Sequence, residues 1–175
     1  LDIMSSKPFV PGVQIADVGC ALIAAFSIVS SLFYRERKGK GNYIDVSIFQ
    51  SALPLISIHI AQCSLSRNRG TVLSGNKPCY NVYKTKDNKY VSLGAIESKF
   101  WQSFCNAAER QDLISKQFDS SFVKDMKMIF NARTMDEWMD LNKKYDFCCE
   151  PVKKIENIIN DADLNSKGAL ITLEG

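Results

Sequence analysis

Asp17-Val18-Gly19-Cys20-Ala21-Leu22-Ile23-Ala24-Ala25-Phe26-Ser27-Ile28-Val29-Ser30-Ser31-Leu32-Phe33 carries no charge after its first residue, and it runs directly into Tyr34-Arg35-Glu36-Arg37-Lys38-Gly39-Lys40-Gly41-Asn42-Tyr43-Ile44-Asp45. Val18, Leu22, Ile23, Phe26, Val29, Leu32 and Phe33 fall at spacings of three and four, which predicts a helix. Ala and Ser fill the other face, so the helix is expected to be buried nearly all round. Arg35 to Lys40 supplies cations for its negative end, and Gly39 and Gly41 stop it. Asp17 sits at the positive end of that helix. A carboxylate there can stay ionised, exchange protons or attack an electrophile. Asp is also a preferred N-cap, so a capping role and a chemical role both stand at this point.

Ahead of this segment, Ser5 to Gly12 holds two prolines and a glycine and reads as a loop. Asn42 to Asp45 is expected to form a short strand. Val46 to Leu65 is expected to form a second long helix, kinked or interrupted at Pro54. Ser66 to Pro78 is polar and turn-rich, a linker or an active-site loop. Cys79 to Thr85 and Lys89 to Leu93 alternate apolar and polar around Asp87-Asn88, which predicts a hairpin. Helices are expected over Ser98 to Ala108 and Phe122 to Phe130. Thr134-Met135-Asp136-Glu137 is a capping box opening another through Trp138. Cys148 to Val152 reads as extended, and Lys153 to Ile159 as a last amphipathic helix.

Composition excludes several classes. With 22 Lys and Arg scattered among 19 Asp and Glu, the net charge of +3 marks no nucleic-acid surface. The uncharged run after Asp17 is short for a membrane span and rich in Ala and Ser, so a buried core helix is the expectation and no membrane partner is implied. Six cysteines and a single histidine, His59, show no paired ligand spacing, so no metal site is expected. The cysteines read as reduced, partly buried thiols of an intracellular, cytoplasmic protein.

Ordered phrases carry more than single residues. Gln14-Ile15-Ala16-Asp17-Val18-Gly19, then Arg35 to Gly41 and Ile44-Asp45-Val46-Ser47, resemble the family III CoA-transferases, which include the CaiB/BaiF proteins and the α-methylacyl-CoA racemases. Gly75 to Glu97 is similar to the same family, closer to its racemase branch. Arg133-Thr134-Met135-Asp136-Glu137-Trp138 and Cys149-Glu150-Pro151-Val152 continue it in order, so the resemblance runs from about Pro11 to Val152.

The resemblance implies an α/β family fold in which this chain is an α+β piece. Residues 1–45 would be a remnant of the large Rossmann-like CoA-binding domain and 46–72 a long helical connector. Residues 73–152 would form a small α+β domain with a short antiparallel sheet, and 153–175 a segment returning to the large domain. It implies a fragment of a protein about twice as long, an interlocked homodimer, and acyl-CoA and carboxylic acid substrates, with coenzyme A thioester as substrate and no prosthetic group. Asp17 matches the family's catalytic aspartate, a nucleophile in transferases and an acid/base in racemases. Glu97 matches a racemase-branch glutamate that supports a histidine outside this chain. Two departures stand out. Behind the aspartate, close approach of a thioester rests on Gly19 alone. Where transferases carry a glycine-rich loop, this chain reads Gly94-Ala95-Ile96-Glu97, with one glycine. CoA transfer and racemisation of a 2-methylacyl-CoA both remain open, as does a catalytically incomplete piece serving as a folding or dimerisation module.

Overall fold

The computed structural model describes residues 10–65 and 72–169, and the chain divides into two compact units, Leu1–Thr71 and Val72–Gly175. The expected loop over 5–12 is described only from Val10, and the first part of the expected linker, 66–71, lies outside the described residues.

In the first unit, α1 runs Ile15–Lys38 and ends on Gly39, whose φ of 66° lets its N–H turn back to the Arg35 carbonyl at 2.8 Å. Only a residue without a Cβ adopts that left-handed turn at no cost. Helix α2 (Ile48–Ala52) starts at Ser47, whose hydroxyl accepts the Gln50 N–H at 3.3 Å. Pro54 has no N–H to continue the ladder, and the chain tightens there into a 3₁₀ turn, Leu53–Ile56, before α3 (Ser57–Leu65). The long second helix read from the sequence is therefore three pieces. Asn42–Asp45 is not a strand: it is irregular, and no strand lies in the described part of this unit to pair with it.

The expectation of a helix buried nearly all round also needs correcting. No residue of α1 is buried, and Phe26, Leu22 and Val29 are 75%, 67% and 65% exposed. The apolar periodicity is real, but in the described part of this unit α1 has only α2 packed closely against it. By length and apolarity, α1 and the helical stretch Ile48–Leu65 could each cross a membrane.

The second unit holds an antiparallel sheet in the order β1 (Tyr80–Lys84), β2 (Tyr90–Gly94), β3 (Cys149–Pro151). Tyr83 pairs with Val91, and Leu93 with Cys149, and these four side chains point into the core. The hairpin loop is closed by Thr85 N–H on the Lys89 carbonyl and turned by Asn88 at φ 60°, a conformation Asn tolerates. Pro151, which cannot donate to a ladder, lies on β3 at the sheet's edge.

Helix α5 (Val123–Asn131) packs on β1 and α6 (Met135–Tyr145) on β3, and α4 (Ser98–Ala107) packs against α6. The capping box opening α6 is formed in full: Thr134 accepts the Glu137 N–H, and the Glu137 carboxylate accepts the Thr134 N–H at 2.7 Å. Short helices α7 (Ile155–Ile158) and α8 (Ala162–Ser166) follow, the first much shorter than the sequence suggested. The core is aromatic. Phe104 lies 5.4 Å from Trp101, 5.3 Å from Phe130 and 5.7 Å from Phe147, and Tyr83 stacks on Phe130 at 4.5 Å. Each buried polar tip has a partner: Tyr83 donates to the Pro78 carbonyl and Trp138 to the Phe130 carbonyl. The molecule is thus α+β with a small three-stranded sheet, one strand more than the hairpin alone.

Candidate active site

Asp17 and Gly19 belong to the first unit, and Gly94 and Glu97 to the second. Asp17 lies in the first turn of α1, but the N-cap position is Gln14, so Asp17 is not the cap. Its side chain is exposed. Helix α2 packs against α1. Gly19 faces that neighbour: a Cβ on it would stand 3.5 Å from the Ser51 carbonyl and 3.7 Å from Leu55. Beside it the Cys20 thiol points at the Val46 carbonyl. A Cβ at those distances would make ordinary van der Waals contact, so the packing of α1 on α2 does not by itself require glycine here.

Glu97 occupies the N-cap position of α4 in extended conformation, yet its carboxylate makes no capping hydrogen bond and stands exposed. Two residues of the following turn, Phe100 and Trp101, donate their N–H groups to the Glu97 carbonyl. The segment leading to it is tightly held. Gly94 donates to the Cys148 carbonyl at 2.9 Å, and Ala95 to the Cys79 carbonyl at 2.8 Å. The Gly94 carbonyl accepts from Ile96, and the carbonyls of Ala95 and Ile96 both accept from the Gln117 side chain, at 3.0 and 2.7 Å. Every backbone carbonyl from Gly94 to Glu97 has a donor.

Cys148, across from Gly94, has a φ of 54° and follows Asp146 at 52°. Asn142 pins this strained stretch: its carbonyl oxygen accepts from Phe147 and Cys149, and its amide donates to the Cys149 carbonyl at 2.8 Å. Burial first, then the negative charges of Asp146 and Glu97, pushes the Cys148 thiol above its ordinary range. The Glu97 carboxylate is thus within electrostatic reach of the β3 entrance. Burial drives the neighbouring thiols higher, Cys79 to about 11 and Cys149 to about 12. All six cysteines are unbridged, and among the described residues no group of His, Cys, Asp or Glu could hold a metal ion. Neither Gln117 nor Asn142 carries a motif in the sequence. Their partners are backbone atoms far along the chain, invisible without the fold.

The profile of CoA-transferase family III matches residues 3–175. The chain belongs to that family. A CaiB/baiF CoA-transferase family protein of Caenorhabditis elegans is 31% identical over 161 residues, which cover 88% of this family III chain and 47% of that protein. Human alpha-methylacyl-CoA racemase is 29% identical over 178 residues, covering 96% and 47%. A crystal structure of a CaiB/BaiF family protein from Brucella suis shares the fold, with a TM-score of 0.71 at 18% identity over 95% of this chain and 49% of that one. The chain therefore spans about half the length of the relatives it matches.

Proposed function

We propose that this family III chain is part of an acyl-CoA-processing enzyme in which Asp17 exchanges the proton on the carbon next to the thioester, and Glu97 supports the second proton-transferring group. The observation that carries the reading is Glu97 itself. Its carboxylate stands at the start of α4, unused by the helix and exposed, on a segment with every carbonyl occupied. A proton-transfer reaction needs such a carboxylate to hold a partner in one protonation state and orientation. In the reaction the α C–H bond breaks as a base takes the proton, the electron pair passes into the thioester carbonyl, and a proton returns to the opposite face.

In this reading residues 1–45 are a remnant of a large Rossmann-like CoA-binding domain, 46–72 a connector, 73–152 the small domain and 153–175 a return segment. The bare apolar face of α1 is covered by the rest of that domain or by a second chain of an interlocked dimer, and that cover also shelters Asp17. Coenzyme A thioester is the substrate and no prosthetic group takes part.

CoA transfer is the second reading, supported by the family's transferase members. There the Asp17 carboxylate attacks the thioester carbon, the C–S bond breaks, and CoA leaves as thiolate, leaving a mixed anhydride on Asp17. The longer protein, incubated with a 2-methylacyl-CoA in heavy water, separates the two. Deuterium at the α-carbon is expected, and Asp17→Asn is expected to slow its appearance about 10²–10⁴-fold. A hydroxylamine-trapped Asp17 adduct without deuterium would reverse the choice, and an unimpaired Asp17→Asn enzyme would end both readings. If the longer protein bound no CoA at all, the chain would be a folding or dimerisation module.

A further inference from the structure

Gln117 is a buried polar side chain, 9% exposed, placed directly after the 3₁₀ helix Gln111–Lys116. Its amide nitrogen lies 3.0 Å from the Ala95 carbonyl and 2.7 Å from the Ile96 carbonyl. Both partners are acceptors, so the NH₂ group must face them, one proton to each. Its own carbonyl accepts the Cys79 N–H at 3.4 Å, and the Cys79 carbonyl accepts the Ala95 N–H. Backbone and side chain of one residue therefore close a ring around Cys79 and Ala95. Among the described residues no other side chain bonds this backbone: the carbonyls of Gly94 and Glu97 use main-chain donors, while those of Ala95, fully buried, and Ile96 rely on Gln117.

We infer that Gln117 is a positioning residue that fixes the 95–96 carbonyls and through them aims the Glu97 carboxylate for proton transfer. This rests on the reading of Glu97 given above. Without the amide donor, the Ala95 carbonyl would be buried unpaired. Such a group drives the backbone to rotate toward another donor, and rotation at Ala95 or Ile96 swings Glu97, the next residue.

The test uses the longer protein, a 2-methylacyl-CoA and heavy water. Gln117→Met keeps the side chain's length and removes the donor. It is expected to lower kcat for α-proton exchange at least about tenfold while KM changes little, and amide hydrogen exchange is expected to accelerate at 95–101 but not in α6. In the Glu97→Gln background the same change is expected to add nothing, because both act through one carboxylate. Gln117→Glu, which can donate only when protonated, is expected to recover part of kcat as pH falls. Wild-type kcat in Gln117→Met, or a full additive loss on top of Glu97→Gln, would overturn the inference and leave the function reading standing. If Gln117→Met failed to fold, the pH-dependent recovery of Gln117→Glu would decide, its absence overturning the inference. A wild-type protein that exchanges no α-proton would bring down the function reading, and this inference with it.

Discussion

Phe104 touches four other rings of the second unit and is fully buried, so it is the residue whose loss the core can least absorb. Truncating it removes transfer free energy and leaves a cavity walled by Trp101, Phe130, Trp138 and Phe147, rigid rings that cannot collapse far. Phe104→Ala is expected to cost about 3–5 kcal/mol, read from urea unfolding followed by tryptophan fluorescence. A loss below about 1 kcal/mol would mean that the ring cluster is not the core. The apolar character of Phe104 was plain in the sequence, since Phe100, Trp101 and Phe104 lie on one helical face. Its position at the centre was not, because Phe130, Trp138 and Phe147 come from three other segments. The same limit applied to Asp17. The sequence offered it as the helix cap, but Gln14 takes that place, since a helix end is set by where the backbone enters, which a run of apolar residues marks only to within a turn.

Two elements of the second unit are joined by one half-buried carboxylate. Asp87, in the hairpin loop, accepts from the Thr85 hydroxyl at 2.7 Å and from the Met135 N–H at 3.0 Å, and pairs with Lys89 at 3.1 Å. It therefore ties the β1–β2 loop to the first turn of α6. Chiefly the Thr85 hydrogen bond, and then those from Met135 and Lys89, hold its carboxyl down to about 2. A depressed carboxylate contributes stability that is fully present above its unfolded value, near 3.9. That contribution is lost as pH falls toward the folded value of about 2. Thermal unfolding of the wild type is thus expected to lose more between about pH 5 and pH 2 than that of Asp87→Asn, with the two curves converging at the acid end. Parallel curves over that range would remove Asp87 from the account. The capping box and the hairpin were legible because both are local chemistry within a few residues. The bond from Met135 to Asp87 spans 48 positions, and only folding brings its ends together.

At the scale of the whole molecule the two units differ in kind. Among the described residues, Ser51 alone is buried in the first, whereas the second holds a core cluster of sixteen buried apolar residues. A polypeptide covering only Val72–Gly175 is therefore expected to unfold cooperatively with blue-shifted Trp101 and Trp138 emission, and one covering only Leu1–Thr71 to show no such transition. The reverse result would mean that α1 finds cover within its own unit. The amino-acid order determined the family, through phrases that need no fold to be read. It also determined where most helices and the hairpin form, because caps, prolines, turn residues and short-range periodicity act over a single turn or strand pair. What folding alone decided was which apolar faces are covered, that β3 joins the hairpin, and that Gln117 and Asn142 hold the backbone around Gly94–Glu97. Those outcomes depend on groups distant in sequence meeting within hydrogen-bond or van der Waals range, and the linear pattern does not encode that proximity locally.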